Sequence, residues 1–215
     1  MKQILTIILI AIFIPFKIAY SASYTDHIEK ISKNTQLSEK VVRLALRGYQ
    51  YAAAHSQVKK KILTIVDYTK PSIMKRMYVI DLETDRLLMN VWVAHGHNTG
   101  NLTSIHFSNR AESKESSVGV FVTEGTYYGH EGKSMVIKGL EKNVNDNAKM
   151  RHLVVHAAPY VSSTFAHATG RMGRSYGCLA VNSHDLAQLI ALTQGGSVIF
   201  SYAPEEDHDR YLAQS

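Results

Sequence analysis

The 215-residue chain contains a single cysteine, Cys178, in the segment GRSYGCLAV. A thiol becomes an effective nucleophile when a histidine, a cation or oriented backbone N–H groups stabilise its thiolate. His156 ends the apolar run LVVH, 22 residues before Cys178. A strand end and a returning glycine-rich loop can bring two such groups within hydrogen-bond reach. The pair therefore predicts that Cys178 is a candidate nucleophile, with His156 as the best candidate for its base.

Both residues also have unreactive explanations. One thiol cannot form an internal disulfide, but it can be a buried apolar side chain, a surface thiol or half of an intermolecular bridge. A lone histidine at a strand end is often simply solvated. The neighbouring sequence has to separate these alternatives.

Three ordered motifs resemble the L,D-transpeptidase catalytic domain, a family that remodels peptidoglycan. The similarity is greatest to its second subfamily, in which the cysteine motif reads GRSxGC. The matching segments are SNRAESKESSVG at 108–119, KGLEKNVNDNAKMRHLVVHAA at 138–158 and GRSYGCLAV at 173–181. The resemblance covers roughly residues 62 to 202, and the motifs are specific as an ordered set.

The resemblance implies that Cys178 attacks a murein tetrapeptide stem, at the carbonyl between its diamino acid and the terminal D-Ala. His156 would transfer the protons, oriented by the backbone carbonyl of Ala157. The N–H groups of Gly177 and Cys178 would form the oxyanion hole. Gly177 suits this place because only glycine lets the backbone turn and approach closely there. No cofactor and no metal is implied.

Two positions depart from the pattern of the broader family. Tyr176 stands where a second histidine is usual, and Ala180 stands where asparagine or arginine is common. Recognition of the donor must therefore use other groups. Arg174 is predicted to bind a substrate carboxylate or to lower the pKa of Cys178, and a structural salt bridge is the alternative.

The remaining substrate-side predictions concern Ser175, Tyr176 and Ser117. For Ser175, ordering of the loop through backbone hydrogen bonds is favoured over reaction with substrate. Ser117 lies in the 108–119 segment, for which a substrate-side or loop-ordering role is predicted and a plain surface turn is the alternative. Tyr127 and Tyr128 can flank a groove, although strand aromatics belong more often to a core.

The elements that must position these residues are mostly strands. Short runs rich in branched and aromatic residues fill the chain from residue 62 to 157 and return at 196–202. A helix is predicted from Ser183 to Leu192 with Ser183 as its cap, and residues 170–182 are predicted to be a loop. The expected fold is mainly β with a few helices, an L,D-transpeptidase-like β-sandwich or barrel with a short N-terminal helical segment.

The domain boundaries follow from changes in composition. Residues 1–23 have the layout of a secretory signal peptide, with an uncleaved membrane anchor as the alternative. Residues 24–60 are predicted to be helical, with a helix start at Ser38 and Glu39. The catalytic domain is placed at 61–204 and a tail at 205–215. No membrane span is predicted in the mature chain, and the expected location is outside the cytoplasm, in a Gram-negative periplasm.

Charge and histidine content bear on the other function classes. The net charge of +6 is spread along the chain, so the signal for a nucleic-acid partner is weak and an anionic wall polymer fits the charge equally well. No nucleic-acid partner is predicted. Eleven histidines raise a zinc peptidase as a rival, with His95 and His97 predicted to share a strand face. An inactive wall-binding module is a further rival. Within the family reading, water, a diamino-acid amine or a protein lysine can be the acceptor, so an L,D-carboxypeptidase stays open.

Overall fold

The computed structural model describes residues 13–213, with side chains from residue 24 onward. The predicted signal segment at 1–23 therefore lies outside the residues whose side chains are described. Within the described part of the chain, no helix is both long and apolar enough to cross a membrane.

Two helices precede the sheet, as the sequence predicts. Helix α1 spans Phe13–Thr35 and helix α2 spans Glu39–His55. The predicted start of α2 is confirmed, because the side chain of Ser38 accepts the N–H of Val41 at 3.3 Å and so caps the helix. The buried face of α2 packs on the sheet through Val41, Val42, Ala45, Leu46 and Ala52.

Eight strands form one mixed sheet in the order β3-β2-β1-β8-β4-β5-β6-β7. Their bounds are β1 Ile62–Asp67, β2 Met77–Asp81, β3 Arg86–Val91, β4 Gly119–Gly129, β5 Gly132–Gly139, β6 Val154–Ala157, β7 Leu179–Val181 and β8 Val198–Tyr202. The pairs β1–β8 and β6–β7 are parallel, and the others are antiparallel.

The two edges of the sheet meet beyond the end of β3. Val93 forms a bridge with Val181 of β7, and the N–H of Ala94 donates to the carbonyl of Ala180 at 2.9 Å. The sheet is thereby curled towards a closed barrel, an arrangement that removes exposed edges. The expectation of a mainly β fold with a few helices and an N-terminal helical segment is confirmed.

Apolar residues pack on both faces of the sheet. One face carries α1 and α2, and the other carries helix α4, Ser183–Thr193, together with the strands next to Cys178. The cap of α4 differs from the prediction: the Asn182 side chain accepts the N–H of His184 at 2.9 Å, so Asn182 and not Ser183 is the cap.

Two further predictions need correction. The 170–182 region contains strand β7, and the short helix α3, Ser163–Thr169, precedes it. Tyr127 and Tyr128 are 45% and 82% exposed, because the end of β4 extends beyond the packed sheet, so they are not core residues. Past a short 3-10 helix at Pro204–His208, Leu212 is fully buried against the helical face.

Candidate active site

Strand pairing brings the two sequence-predicted catalytic residues onto neighbouring strands. Cys178 immediately precedes β7, which pairs in parallel with β6 so that Leu179 lies opposite Val155 and Ala180 lies opposite His156. Adjacent strands are about 4.8 Å apart, and residues two positions apart share a face. Continuing the register places Cys178 level with Val154, two positions from His156.

His156 is held in one orientation by its neighbour along the chain. The residue is 4% exposed, and its Nδ1 lies 3.0 Å from the carbonyl oxygen of Ala157. A carbonyl can only accept, so Nδ1 carries the proton and Nε2 keeps its lone pair. The carboxylate of Glu131 lies 3.9 Å from Nδ1 on the same side of the ring. This arrangement prepares Nε2 to act as a base.

Cys178 is partly exposed and rests against the apolar core. Its Sγ donates to the carbonyl oxygen of His152 at 3.6 Å. Burial raises the pKa of the thiol, and the charge of Glu131 raises it further, while the backbone N–H of Val154 and the charge of Arg151 act in the opposite direction. Burial therefore disfavours the thiolate, and a neighbouring base assists reaction at this thiol.

Arg151 is a site residue that the sequence analysis missed. Its Nη1 donates to the Ser117 hydroxyl at 2.6 Å and to the Ser108 carbonyl at 2.5 Å. Its Nη2 donates to the Ser113 hydroxyl at 3.0 Å and to the Glu115 carbonyl at 2.6 Å. One guanidinium thus fixes the 108–117 segment against the thiol. The only sequence signal for it was its place in the matched segment 138–158.

The loop before Cys178 is fixed by Ser175. The Ser175 hydroxyl donates to the carbonyl of Cys178 at 2.7 Å and accepts the N–H of Gly177 at 3.1 Å. Gly177 has φ +115, and a Cβ there would lie 2.7 Å from the carbonyl oxygen of Glu115. The predicted glycine-only backbone is confirmed. In this structure the N–H of Gly177 is bound to Ser175, so its place in an oxyanion hole stays a prediction.

The other predicted substrate-side residues have varied surroundings. Arg174 donates from Nη1 to the carbonyls of His97 and Gly100, both at 3.1 Å, and so orders a loop through backbone acceptors. Tyr176 is 69% exposed, with Lys114 Nζ 4.8 Å from its ring centroid. Ser117 is buried and donates to the Ser108 carbonyl at 2.8 Å.

Tyr160 is a second residue that the sequence analysis did not single out. Burial raises its pKa to about 12, and the charges of Glu131 and Cys178 add to that shift. Its ring lies directly against Gly173, where a Cβ would be 2.4 Å from the ring. The phenol is therefore neutral, and its ring lies against the start of the segment that leads to Cys178.

The histidines do not assemble the zinc site of the rival reading. His95 is fully buried while His97 is exposed, so the expected shared face is wrong. His152 lies in a turn with φ +55 rather than in the strand of His156. Among the described residues, the group whose ligand atoms converge is Glu141, Glu206 and Asp209, which contains no histidine.

Two grooves on the described surface lie away from the thiol. One of about 700 Å³ is lined by the end of α2, by β4 and by Gly195 and Gly196. The other, of about 460 Å³, lies between the end of α1 and the β2–β3 pair. Neither is lined by Cys178 or His156.

Comparison with known proteins gives a family match and distant structural similarities. Residues 33–202 match the model of the L,D-transpeptidase catalytic domain, which extends the match into the helical segment. No curated protein sequence matches the chain. An L,D-transpeptidase from Mycobacterium smegmatis shares 13% identity at a TM-score of 0.42, with 67% of this chain and 59% of that chain covered.

Two further solved structures are similar at the same level. An L,D-transpeptidase from Stackebrandtia nassauensis shares 15% identity at a TM-score of 0.39, with 82% of this chain and 76% of that chain covered. One from Mycobacterium tuberculosis shares 11% identity at a TM-score of 0.40, with 67% and 58% covered. The chain spans about three fifths of the length of the Mycobacterium smegmatis structure.

Proposed function

Since the chain belongs to the L,D-transpeptidase catalytic domain family, we propose that it transfers the acyl group of a peptidoglycan tetrapeptide stem through a thioester on Cys178. The observation that carries the proposal is the pairing of β6 with β7, which sets the cysteine beside a histidine whose Nδ1 is held by the Ala157 carbonyl. A histidine fixed in this tautomer can accept a proton only at Nε2.

The first half-reaction begins with the thiol proton. His156 Nε2 accepts that proton as Sγ attacks the carbonyl between the diamino acid and D-Ala, which gives a tetrahedral oxyanion and an imidazolium. Collapse of the oxyanion breaks the C–N bond, and the imidazolium returns the proton to the D-Ala amine. The products are free D-Ala and a thioester on Cys178. Burial raises the pKa of the thiol, so the step relies on His156 as the base.

Charge near the site assists this step. Arg151 is the cation whose charge favours the thiolate, and the N–H of Val154 acts in the same sense. Oxyanion stabilisation is assigned to the N–H of Cys178 and to that of Gly177 once it leaves Ser175. Losing one such donor typically costs about 2.7 to 4 kcal/mol of barrier. Arg174, Ser175, Tyr176 and Ser117 order or border the substrate side.

The second half-reaction depends on the acceptor. An amine of a neighbouring stem gives a cross-link, a protein lysine gives an anchored protein, and water gives an L,D-carboxypeptidase. Because the stem peptides lie outside the cytoplasm, we propose that the protein is exported, with the segment 1–23 as its signal and the periplasm as its location.

A mass measurement tests the nucleophile. Incubation of the full chain with a carbapenem is expected to add one covalent adduct, mapped by peptide fragmentation to Cys178. The matched control is Cys178→Ala, which is expected to remain folded and unmodified. An adduct elsewhere, or no adduct on a folded protein, contradicts the proposal.

Isolated sacculi then identify the reaction. Release of D-Ala with new L,D cross-links identifies a transpeptidase, and release of D-Ala with tripeptide stems alone identifies a carboxypeptidase. An unchanged muropeptide profile, together with an intact thiol, supports the rival reading of a wall-binding module.

A further inference from the structure

Three carboxylates converge on the side of the molecule where the chain ends. Glu141 follows β5, Glu206 lies in the 3-10 helix, and Asp209 comes directly after that helix. One ligand oxygen from each lies within 4.8 Å of the others. Glu141 and Glu206 are 0% and 2% exposed. Glu141 belongs to the matched segment 138–158, and the proposed reaction assigns it no role.

The fold holds Glu141 firmly in this position. Its Oε2 accepts the N–H of Val120 and the side-chain amide of Asn145, both at 2.8 Å. Gly119 makes room for it: φ there is +92, and a Cβ would lie 1.9 Å from Oε2. Oε2 of Glu141 thus accepts two hydrogen bonds, whereas Oε1 accepts neither of them.

The second set of oxygens accepts no hydrogen bond from an N–H or hydroxyl group of the described residues. Glu141 Oε1, Glu206 Oε2 and Asp209 Oδ2 are all buried. Glu141 and Glu206 each lie within hydrogen-bond reach of Asp209, so a proton shared between carboxyls is the only bond open to them without a cation. Within the described chain, no lysine, arginine or histidine forms an ion pair with any of the three. The adjacent Arg210 donates to the Lys142 carbonyl and the Tyr211 hydroxyl instead.

An uncompensated buried carboxylate is expensive, so these three need a proton or a cation. Without a cation, burial and mutual repulsion raise the pKa of Glu141 to about 8 and that of Glu206 to about 10. An all-oxygen donor set is the one that hard divalent cations prefer, and Ca²⁺ binds such ligands at about 2.4 Å. Two oxygens on opposite sides of Ca²⁺ are then about 4.8 Å apart.

We propose that Glu141, Glu206 and Asp209 form a Ca²⁺-binding site, separate from the thiol, through these three buried oxygens. The ion links the segment after β5 to the C-terminal 3-10 helix. Its role is structural: it neutralises the buried charge and fixes the returning end of the chain against the helical face, where Leu212 is buried. The site is independent of the proposed acyl transfer.

The test uses the full chain, treated with chelator and returned to chelator-free buffer at pH 8. Addition of CaCl2 at about one hundred times the dissociation constant is expected to raise Tm by about 5 to 10 °C over KCl of equal ionic strength. Tb³⁺ should also show tyrosine-sensitised luminescence, displaced by Ca²⁺, because the N–H of Tyr211 is bonded to Asp209 Oδ1 at 2.6 Å.

Variants locate the effect. Glu206→Gln is expected to weaken binding at least tenfold and to abolish the Tm rise, and Asp209→Asn provides a second, less buried substitution. The matched control is Glu205→Gln, since this exposed neighbour lies outside the cluster and its variant should respond like the parent protein. Two results would overturn the proposal. One is a Tm that falls with rising pH but does not change when CaCl2 is added. The other is a Tm rise with CaCl2 in Glu206→Gln equal to that of the parent protein.

Discussion

Two histidines lie near the ends of strands, and they differ in the group that is hydrogen-bonded to Nδ1. His95 follows β3 after VWVA, and His156 is the next-to-last residue of β6 after LVV. At His95, Nδ1 accepts a hydrogen bond from Arg76 Nη2 at 2.8 Å, so the proton of the neutral ring lies on Nε2, which is buried without a partner. At His156, Nδ1 donates to a carbonyl and Nε2 keeps its lone pair. Similar sequence contexts therefore give opposite tautomers, and only one of them offers a base.

The largest expected effect comes from removing the base. His156→Ala should lower kcat/KM for stem-peptide acylation by about 10² to 10⁴, because general-base assistance is lost. The rate of carbapenem adduct formation, followed by intact mass, measures it. His95→Ala is the matched control and should leave that rate within a few-fold. An equal loss in both variants would end the distinction between the two histidines.

The second prediction concerns stability and pH at His95. Burial, with the charges of Arg76 and Arg174, lowers the pKa of His95 from 6.5 to about 4. Between these values the unfolded chain binds a proton that the folded chain does not, so stability falls as pH falls from 6.5 to 4. The loss reaches about 3 kcal/mol and is complete below pH 4.

Urea unfolding at several pH values measures this loss. His95→Gln keeps an acceptor for Arg76 but does not titrate, so its stability should fall less steeply over the same range. Equal slopes in the two proteins would show that His95 does not supply the dependence.

The third prediction concerns the arginine beside the thiol. Arg151→Met should raise the pKa of Cys178 further and reduce the acylation rate at pH 7 about tenfold, since the charge that favours the thiolate is removed. The rate should recover as pH rises. Arg151→Lys keeps a charge but cannot reach four acceptors, so it should retain part of the effect on pKa. A pH–rate profile unchanged by Arg151→Met would restrict Arg151 to ordering the 108–117 segment.

The smallest effect is expected from adding a histidine. Tyr176→His restores the residue that the broader family has there, but the side chain is exposed and its described contact is Lys114. Adduct formation should stay within about twofold, with at most about 1 kcal/mol of stability lost from the cation–π contact. A large acceleration would mean that His156 is not the only effective base.

Sequence reasoning succeeded where the signal is local. Branched residues predicted most strands, Ser38 predicted the start of α2, and the glycine at position 177 predicted its unusual backbone. It failed where an element depends on distant partners. Strand β7 has only three residues and forms because β6 and Val93 provide neighbours. The glycine-rich sequence around it therefore predicted a loop.

The missed site residues have the same origin. Arg151 is one of 24 basic residues, and nothing in its immediate sequence shows that its four acceptors lie 34 to 43 positions earlier. Glu131 reaches His156 from the turn between β4 and β5, where a surface glutamate is ordinary. Such residues can be identified as part of the site only once the fold has shown which distant residues they contact.

The position of β8 affects the order in which the protein can fold during synthesis. This strand is the last in the chain, yet it lies between β1 and β4 and joins the two halves of the sheet. The β4–β8 and β1–β8 pairings, which join the half that carries Cys178 to the half that precedes it, can form only after residues 198–202 have been synthesised. Long-range pairing of this kind is slow. We therefore expect the surroundings of Cys178 to reach their final packing late in folding.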